Sequence, residues 1–218
     1  MKFCSQNLPI LSFCFLVVIL GTARNSSALQ IAPLDSNKTF AVSIIQQEMT
    51  IEELEAAARK LHKSAAKKFK RKAYWTSSVD LIAVLDFHPG FTRSDEITYL
   101  LANCFYEMGM YESADKMLRH LLKTYSKTLL VAEAILGLQK IWYQKNDYQT
   151  SLKFYKALES HYSDQNGIDE SRYYAGQTYF QLEEYNLSLS ILSRIKQKSD
   201  FYPFGLYTIG LMNLKKKT

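Results

Sequence analysis

The feature that most constrains the fold of this chain is a pattern that repeats every 37 residues. Four tyrosines mark the repeat at that spacing: Tyr74, Tyr111, Tyr148 and Tyr185. Three positions after each tyrosine comes a small residue, and four positions later comes a bulky one. The small residues are Ser77, Ala114, Ser151 and Ser188, and the bulky residues are Leu81, Leu118, Tyr155 and Leu192. A register shared by four copies indicates stacked structural units.

Each unit is predicted to contain two amphipathic helices joined by a tight turn, because its apolar residues recur at spacings of three and four. The predicted helices are 54–71 and 74–87, 95–108 and 111–124, 129–145 and 148–161, 168–182 and 185–197, and a last helix at 204–216. Only 8 glycines and 4 prolines occur in the 218 residues, which argues against a turn-rich β-sandwich or barrel. The sequence therefore predicts an all-α chain.

These units resemble the tetratricopeptide repeat (TPR) family, whose helix–turn–helix motif has a similar small-and-large pattern. The matching segments are LLANCFYEMGMYESADKMLRHLL, LGLQKIWYQKNDYQTSLKFYKAL and AGQTYFQLEEYNLSLSILSRI, with KAYWTSSVDLIAVLDFHP in the first unit. The resemblance implies a right-handed α–α superhelix of about four helix pairs plus a fifth first helix, in a repeat domain at 54–218. Tyr125-Ser126 and Tyr162-Ser163 close their units in a way that is similar to bacterial cell-envelope members of the family.

The first 28 residues have the pattern of a signal peptide. Lys2 gives a positive start, and an apolar run at 8–20 is followed by the small residues Ser26, Ser27 and Ala28. This run is shorter than the ~20 residues that a membrane-spanning helix needs. Cleavage after Ala28 is predicted, and an uncleaved anchor is the alternative. We therefore expect a mature N-terminal segment at 29–53 and export to a bacterial periplasm or cell envelope.

Cysteine and histidine usage argues against a chemical site. Only Cys104 follows the predicted cleavage point, in a helical apolar pattern that is typical of a buried small hydrophobe. The 4 histidines are far apart, and no phosphate-binding, dinucleotide-binding or nucleophile-elbow motif occurs. The acidic pairs Glu52-Glu53 and Glu183-Glu184 are interpreted as solvated surface. The sequence therefore predicts no enzyme activity, no metal site and no cofactor.

The TPR resemblance implies that the first helix of each unit lines a concave groove that binds partner proteins. Placing the family register on this chain puts nine candidate residues in the groove: Phe69, Tyr99, Tyr106, Glu96, Glu133, Tyr143, Glu170, Tyr173 and Phe180. Three of the aromatic members come one position after Phe105, Trp142 and Tyr179, which are expected to fill the core. We interpret them as a groove ladder, although an aromatic stripe at helical spacing is also typical of a core. The three glutamates favour a partner of basic character.

A second candidate surface is the basic face of the first helix, formed by Lys60, Lys63, Lys67, Lys70 and Arg71. This face is either the solvated side of an end repeat or a surface for anionic lipid head groups or an acidic partner. Because export separates the chain from nucleic acid, no nucleic-acid partner is expected.

The sequence thus predicts an exported scaffold that binds protein partners through the groove of a TPR solenoid. The alternatives are a membrane-surface or cell-wall adaptor that uses the basic first helix, and the helical part of a longer cell-wall protein. The half unit at 204–216 would leave Leu206, Ile209, Leu211 and Leu214 partly uncovered. Such an end indicates either a piece of a longer protein, which we favour, or an end that docks on a partner.

Overall fold

The computed structural model of the protein describes residues 49–215, and within that range it contains nine α-helices and no β-strand. The helices are α1 (Ile51–Lys70), α2 (Tyr74–Phe87), α3 (Ser94–Glu107), α4 (Tyr111–Thr124), α5 (Val131–Gln144), α6 (Tyr148–His161), α7 (Ile168–Gln181), α8 (Tyr185–Leu192) and α9 (Tyr202–Lys215). The predicted signal peptide at 1–28 and most of the predicted segment at 29–53 lie outside the described residues. In each unit the odd-numbered helix is called the first helix and the even-numbered helix the second.

Helix α1 begins earlier than the sequence pattern predicts, at Ile51, inside the segment assigned to 29–53. A capping box fixes this start. The Thr50 hydroxyl accepts a hydrogen bond from the Glu53 backbone N–H at 3.2 Å, and the Glu53 carboxylate accepts one from the Thr50 backbone N–H at 2.8 Å. These two bonds satisfy N–H groups that would otherwise have no partner in the first turn, an effect of about 1 kcal/mol.

The turn inside each of the four helix pairs has the same backbone geometry. One residue per turn has a left-handed φ: Lys72 at 61°, Gly109 at 74°, Asn146 at 59° and Glu183 at 62°. Around it the backbone forms a Schellman motif, in which the next N–H reaches back to the carbonyl five residues earlier, as from Ala73 to Lys68 at 3.0 Å. These four residues follow one another at the spacing of the repeat, so the turn belongs to the repeated pattern.

Within a pair, the two helices approach closely at the small residue of the second helix. The hydroxyls of Ser77, Ser151 and Ser188 each donate to a backbone carbonyl of the first helix, at 2.8, 3.0 and 2.8 Å. In the second pair Ala114 occupies this position, and it is fully buried. A small side chain is required here because the first-helix backbone lies within hydrogen-bond distance.

Between pairs, each second helix packs against the first helix of the next pair, and consecutive first helices also contact each other. The bulky residues of the repeat fill these contacts, with Leu81, Leu118, Tyr155 and Leu192 all buried. Cys104 is fully buried in the first core cluster, as predicted for a small hydrophobe. The stack is therefore held together by the side chains that the repeat register singled out.

The last units depart from the predicted bounds. Helix α8 ends at Leu192, five residues before the predicted 197. The backbone then forms 3₁₀-type hydrogen bonds between residues three apart, such as the bond from the Arg194 N–H to the Ile191 carbonyl at 3.1 Å. Helix α9 starts at Tyr202, with Pro203 in its first turn, where the missing N–H has no intrahelical role. As expected from the half unit, Leu206 and Leu214 are exposed, at 48% and 65%. None of the helices described between residues 49 and 215 is long and apolar enough to cross a bilayer.

Candidate functional site

Four of the nine predicted groove residues line one cavity on the face formed by the first helices, which we call the first-helix face. The cavity has a volume of about 60 Å³ and lies between α3 and α5. Tyr99, Tyr106, Glu133 and Glu170 are the four predicted residues among its walls. Its other walls include Asn103, Leu136 and Lys140, of which Asn103 and Lys140 come from positions between the predicted slots. The cavity thus combines aromatic, acidic and basic groups from three helices.

Lys140 is the electrostatic centre of this cavity. Its ammonium forms an ion pair with Glu170 at 2.7 Å, and it lies 5.3 Å from the centre of the Tyr106 ring and 5.8 Å from that of Tyr174. Burial of the ammonium acts to lower its pKa, but the Glu170 carboxylate outweighs that effect, so the pKa of Lys140 is raised. Lys140 is therefore a permanent cation whose charge is already balanced.

Glu133 differs from Glu170, although the two occupy equivalent repeat positions. It lies in the first turn of α5, and its Oε2 atom is buried with no hydrogen-bond partner among the described residues. Burial also raises the pKa of the neighbouring Tyr99 phenol, and a hydrogen bond from Asn103 offsets part of this rise. The phenol of Tyr99 therefore stays protonated and neutral at physiological pH. The cavity therefore contains one acceptor atom that nothing in the described fold satisfies.

The predicted aromatic ladder is packed within the protein and is not a row of free rings. Each ring contacts the tyrosine that starts the second helix of its own pair: Phe69 with Tyr74, Tyr106 with Tyr111, Tyr143 with Tyr148 and Phe180 with Tyr185, at centroid distances of 5.2, 5.7, 6.0 and 5.9 Å. These contacts place the rings over the hairpin turns, half-buried.

Phe105 was expected in the core and Tyr106 in the groove, but these adjacent rings face the same core cluster. Both pack against the cluster that contains Leu118 and Ile141. The two rings avoid each other because Phe105 also packs against the preceding cluster, whereas Tyr106 turns toward Tyr111 on α4. Truncating a ladder ring is therefore expected to affect folding as well as any binding.

The remaining predicted groove residues lie outside the cavity. Glu96 pairs with Arg93, the residue just before α3, with Nε of Arg93 at 2.8 Å. Tyr173 joins an aromatic cluster with Phe201 and Phe204, at 5.6 and 6.0 Å, which sequence analysis did not single out. The sequence feature that could have predicted this cluster is the pair Phe201 and Phe204, which are three residues apart around the start of α9. Tyr174 was also missed, although it lies 5.2 Å from Tyr143 and links two units.

The five predicted residues of the basic face are exposed and form no ion pair with any described residue: Lys60, Lys63, Lys67, Lys70 and Arg71. Two other cations of α1 are paired instead, Arg59 with Glu55 and Lys68 with Asp80, at 3.3 and 2.7 Å. The adjoining helix α2 exposes the large apolar residues Trp75, Val79 and Ile82. This end of the stack therefore carries unbalanced positive charge beside exposed apolar surface.

Between residues 49 and 215, no group of three histidine, cysteine, aspartate or glutamate side chains is arranged to hold a metal ion. Burial raises the pKa of the Cys104 thiol, the opposite of what a reactive cysteine needs.

Comparison with known proteins agrees with this architecture. The family model described as tetratricopeptide repeat matches residues 98–128, which cover most of α3 and all of α4. A solved structure titled "MamA RS-1 ArsTM double mutant" superposes with a TM-score of 0.58 at 14% identity, over 73% of this chain and 85% of that one. At that identity the likeness shows the fold alone. No curated protein sequence matches this chain significantly.

The described helix pairs and the family match at residues 98–128 together define the class of fold: an all-α solenoid of helix pairs that contains a tetratricopeptide repeat. The resemblance to the TPR family and the predicted solenoid of four helix pairs plus a fifth first helix are confirmed. The narrower resemblance to bacterial cell-envelope members stays a prediction.

Proposed function

We propose that this chain is an exported scaffold whose first-helix face binds a segment of a protein partner with basic and apolar side chains. The observation that carries this proposal is the cavity between α3 and α5, where Tyr99, Tyr106, Glu133 and Glu170 converge. Tyrosine is favoured in interfaces because it offers a large rigid surface with a polar tip. Glu133 adds a carboxylate to the cavity wall, and one of its oxygens has no hydrogen-bond partner among the described residues.

We propose export because of the first 28 residues. Their charged start, apolar run and small residues occur in the order that is typical of a cleaved signal peptide. The expected compartment is a bacterial periplasm or cell envelope. We propose no catalytic role, since the TPR fold is a scaffold fold.

The test is selection of peptides from a displayed random library on the full chain, followed by titration of the selected peptides. Asn103→Arg places a long cationic side chain in the wall of the cavity and should weaken binding at least tenfold while far-ultraviolet circular dichroism stays unchanged. Lys116→Glu is the matched control, because Lys116 is exposed on α4 and has no ion pair among the described residues. Peptides that bind Asn103→Arg normally but lose affinity for Lys116→Glu would locate the interface on the second helices and refute the proposal.

A second function is favoured by the basic face of α1 with its exposed apolar neighbours. Trp75 is 67% exposed on α2, next to a helix with five unpaired cations. Basic and aromatic groups on one surface are typical of binding to anionic lipid. We propose this end of the stack as a membrane-surface contact that operates alongside the first-helix face.

A further inference from the structure

We propose that the cavity between α3 and α5 is a binding site for one primary ammonium group, the side-chain tip of a lysine in the partner, with Glu133 as its acceptor. This inference rests on the proposed function and deepens it by naming the chemistry of the partner at one point of the face.

The first step compares three equivalent carboxylates. Glu96, Glu133 and Glu170 occupy the same position in consecutive units. Glu96 is held by Arg93, and Glu170 is held by Lys140. Among the described residues, Glu133 has no such cation, and its Oε2 atom is buried without a donor. A buried carboxylate oxygen without a donor is costly, and turning the Glu133 carboxylate toward an ammonium in the cavity removes that cost.

The second step is the charge of the cavity. Glu133 and Glu170 each contribute one negative charge, and Lys140 contributes one positive charge. The other residues in the walls carry no formal charge. One unit of negative charge is therefore left over, and one monovalent cation balances it. Lys140 does not supply this balance, because its ammonium is 2.7 Å from Glu170.

The third step is size and wall chemistry. An engineered protein cavity of about 150 Å³ binds benzene, so a cavity of about 60 Å³ is too small for an aromatic ring. An ammonium tip fits such a space. The planar guanidinium of arginine is broader than an ammonium and is disfavoured. Tyr99 and Tyr106 line the cavity, and tyrosine faces attract cations, as Lys140 shows at 5.3 Å from the centre of the Tyr106 ring.

The experiment uses the full chain and n-butylammonium as a probe for the lysine side chain. Binding is followed by the ring resonances of isotopically labelled tyrosines, with n-butanol as the neutral analogue and sodium chloride matched for ionic strength. We expect saturable shifts at Tyr99 and Tyr106 with butylammonium and at least tenfold weaker binding of butanol. Glu133→Gln should weaken butylammonium binding at least tenfold. Glu96→Gln, the equivalent change one unit earlier, should leave it unchanged.

Equal binding of butylammonium and butanol, or unchanged binding to Glu133→Gln, would overturn the inference. If Glu133→Gln does not fold, the comparison of the two probes on the unmodified chain still decides. The experiments also distinguish failure of the lysine site from failure of the proposed scaffold function. Selected peptides that bind the first-helix face without any response to butylammonium would leave the scaffold function standing and remove the lysine site. Butylammonium that binds while no peptide does would support the site and remove the function proposed above.

Discussion

The position nine residues before each repeat tyrosine shows how closely a single side chain is constrained where two helices meet. Ala65, Ala102, Gln139 and Gly176 occupy it. In the third unit Gln139 is fully buried, and both ends of its amide are used. It donates to the Ser171 carbonyl at 2.9 Å and accepts from the Ser171 hydroxyl at 2.5 Å. This repeat position therefore holds either a small residue or an amide whose hydrogen-bond partners lie on the first helix of the next unit.

Gly176→Ala is expected to destabilise the fold by about 1–3 kcal/mol, as overpacking of a core does. A Cβ atom at Gly176 would lie 2.3 Å from Cδ2 and 2.5 Å from Cγ of Leu192, which is itself buried. Gly210→Ala is the matched control, since a Cβ there meets nothing within 4 Å, and it should stabilise α9 by about 0.5–1 kcal/mol. Urea denaturation measures both changes, and a gain in stability for Gly176→Ala would show that Leu192 can withdraw.

At the scale of the helix pair, the turn is a shared element whose residue choice varies. The left-handed position is filled by lysine, glycine, asparagine and glutamate in the four units. Only glycine adopts that backbone without strain, and asparagine tolerates it better than lysine or glutamate. The turn is retained in all four units because the Schellman bonds and the packing of the two helices determine it.

Lys72→Gly should therefore stabilise the protein by about 0.5–1 kcal/mol, the relief of a left-handed residue less the entropy that glycine loses on folding. Lys72 is exposed, so little contact is lost. The reciprocal change, Gly109→Ala, should destabilise by about 1 kcal/mol through the backbone alone, because a Cβ at Gly109 meets nothing within 4 Å. Thermal denaturation compares the two variants. A lower midpoint for Lys72→Gly would mean that its side chain contributes more than the turn costs.

The basic face of α1 is the second element with a testable role. If it contacts anionic lipid, each cation near the surface contributes about 1 kcal/mol, and the contribution falls with salt. Replacing Lys60, Lys63, Lys67 and Lys70 with glutamine should abolish sedimentation with vesicles of anionic lipid at low salt. Glutamine at the exposed Lys116, Lys123, Lys153 and Lys156 is the charge-matched control and should leave sedimentation intact. An unmodified protein that never sediments would leave this face as a solvated end of the stack.

At the scale of the stack, units are joined by polar networks as well as by apolar side chains. Glu159 on α6 binds Arg172 of α7 at 3.0 Å and also pairs with Arg194, which follows α8. Arg172 is only 8% exposed and makes a further bond to Asp169 at 3.1 Å. Burial acts to raise the pKa of Glu159, but the two guanidinium groups outweigh it, so its pKa lies below the ordinary value of 4.5. Two units are therefore coupled through one ionised carboxylate.

Because the pKa of Glu159 is lower in the folded protein, its ionised form stabilises the fold at pH values above 4.5, and that contribution is lost as the pH falls through the folded pKa. Glu159→Gln should cost about 1–3 kcal/mol at pH 7 and should flatten the fall of stability between pH 5 and 3. Glu112→Gln, whose carboxylate is 73% exposed and pairs with Lys145, should cost under about 1 kcal/mol. Urea midpoints across that pH range would refute the coupling if both variants kept the same slope as the unmodified protein.

The helix pairs were predictable because the information that specifies them is local. The bounds of α2, α4 and α6 coincide with the predicted ranges, since periodicity and turn chemistry lie within each 37-residue unit. The early start of α1 was partly visible in Thr50 and the acids after it. The end of α8 was not, because its last turn tightens over Leu192 and Ile195, which are buried against Met212 of α9.

The sequence by itself determined the class of fold, because a repeated register places equivalent side chains on equivalent helix surfaces. Only the tertiary structure decided how equivalent residues differ. Glu96 and Glu170 are paired, whereas Glu133 leaves a buried oxygen without a donor. The ladder rings lie against the tyrosines of their own turns. These outcomes depend on which side chain a neighbouring helix brings within a few ångströms, and spacing along one chain does not encode that distance.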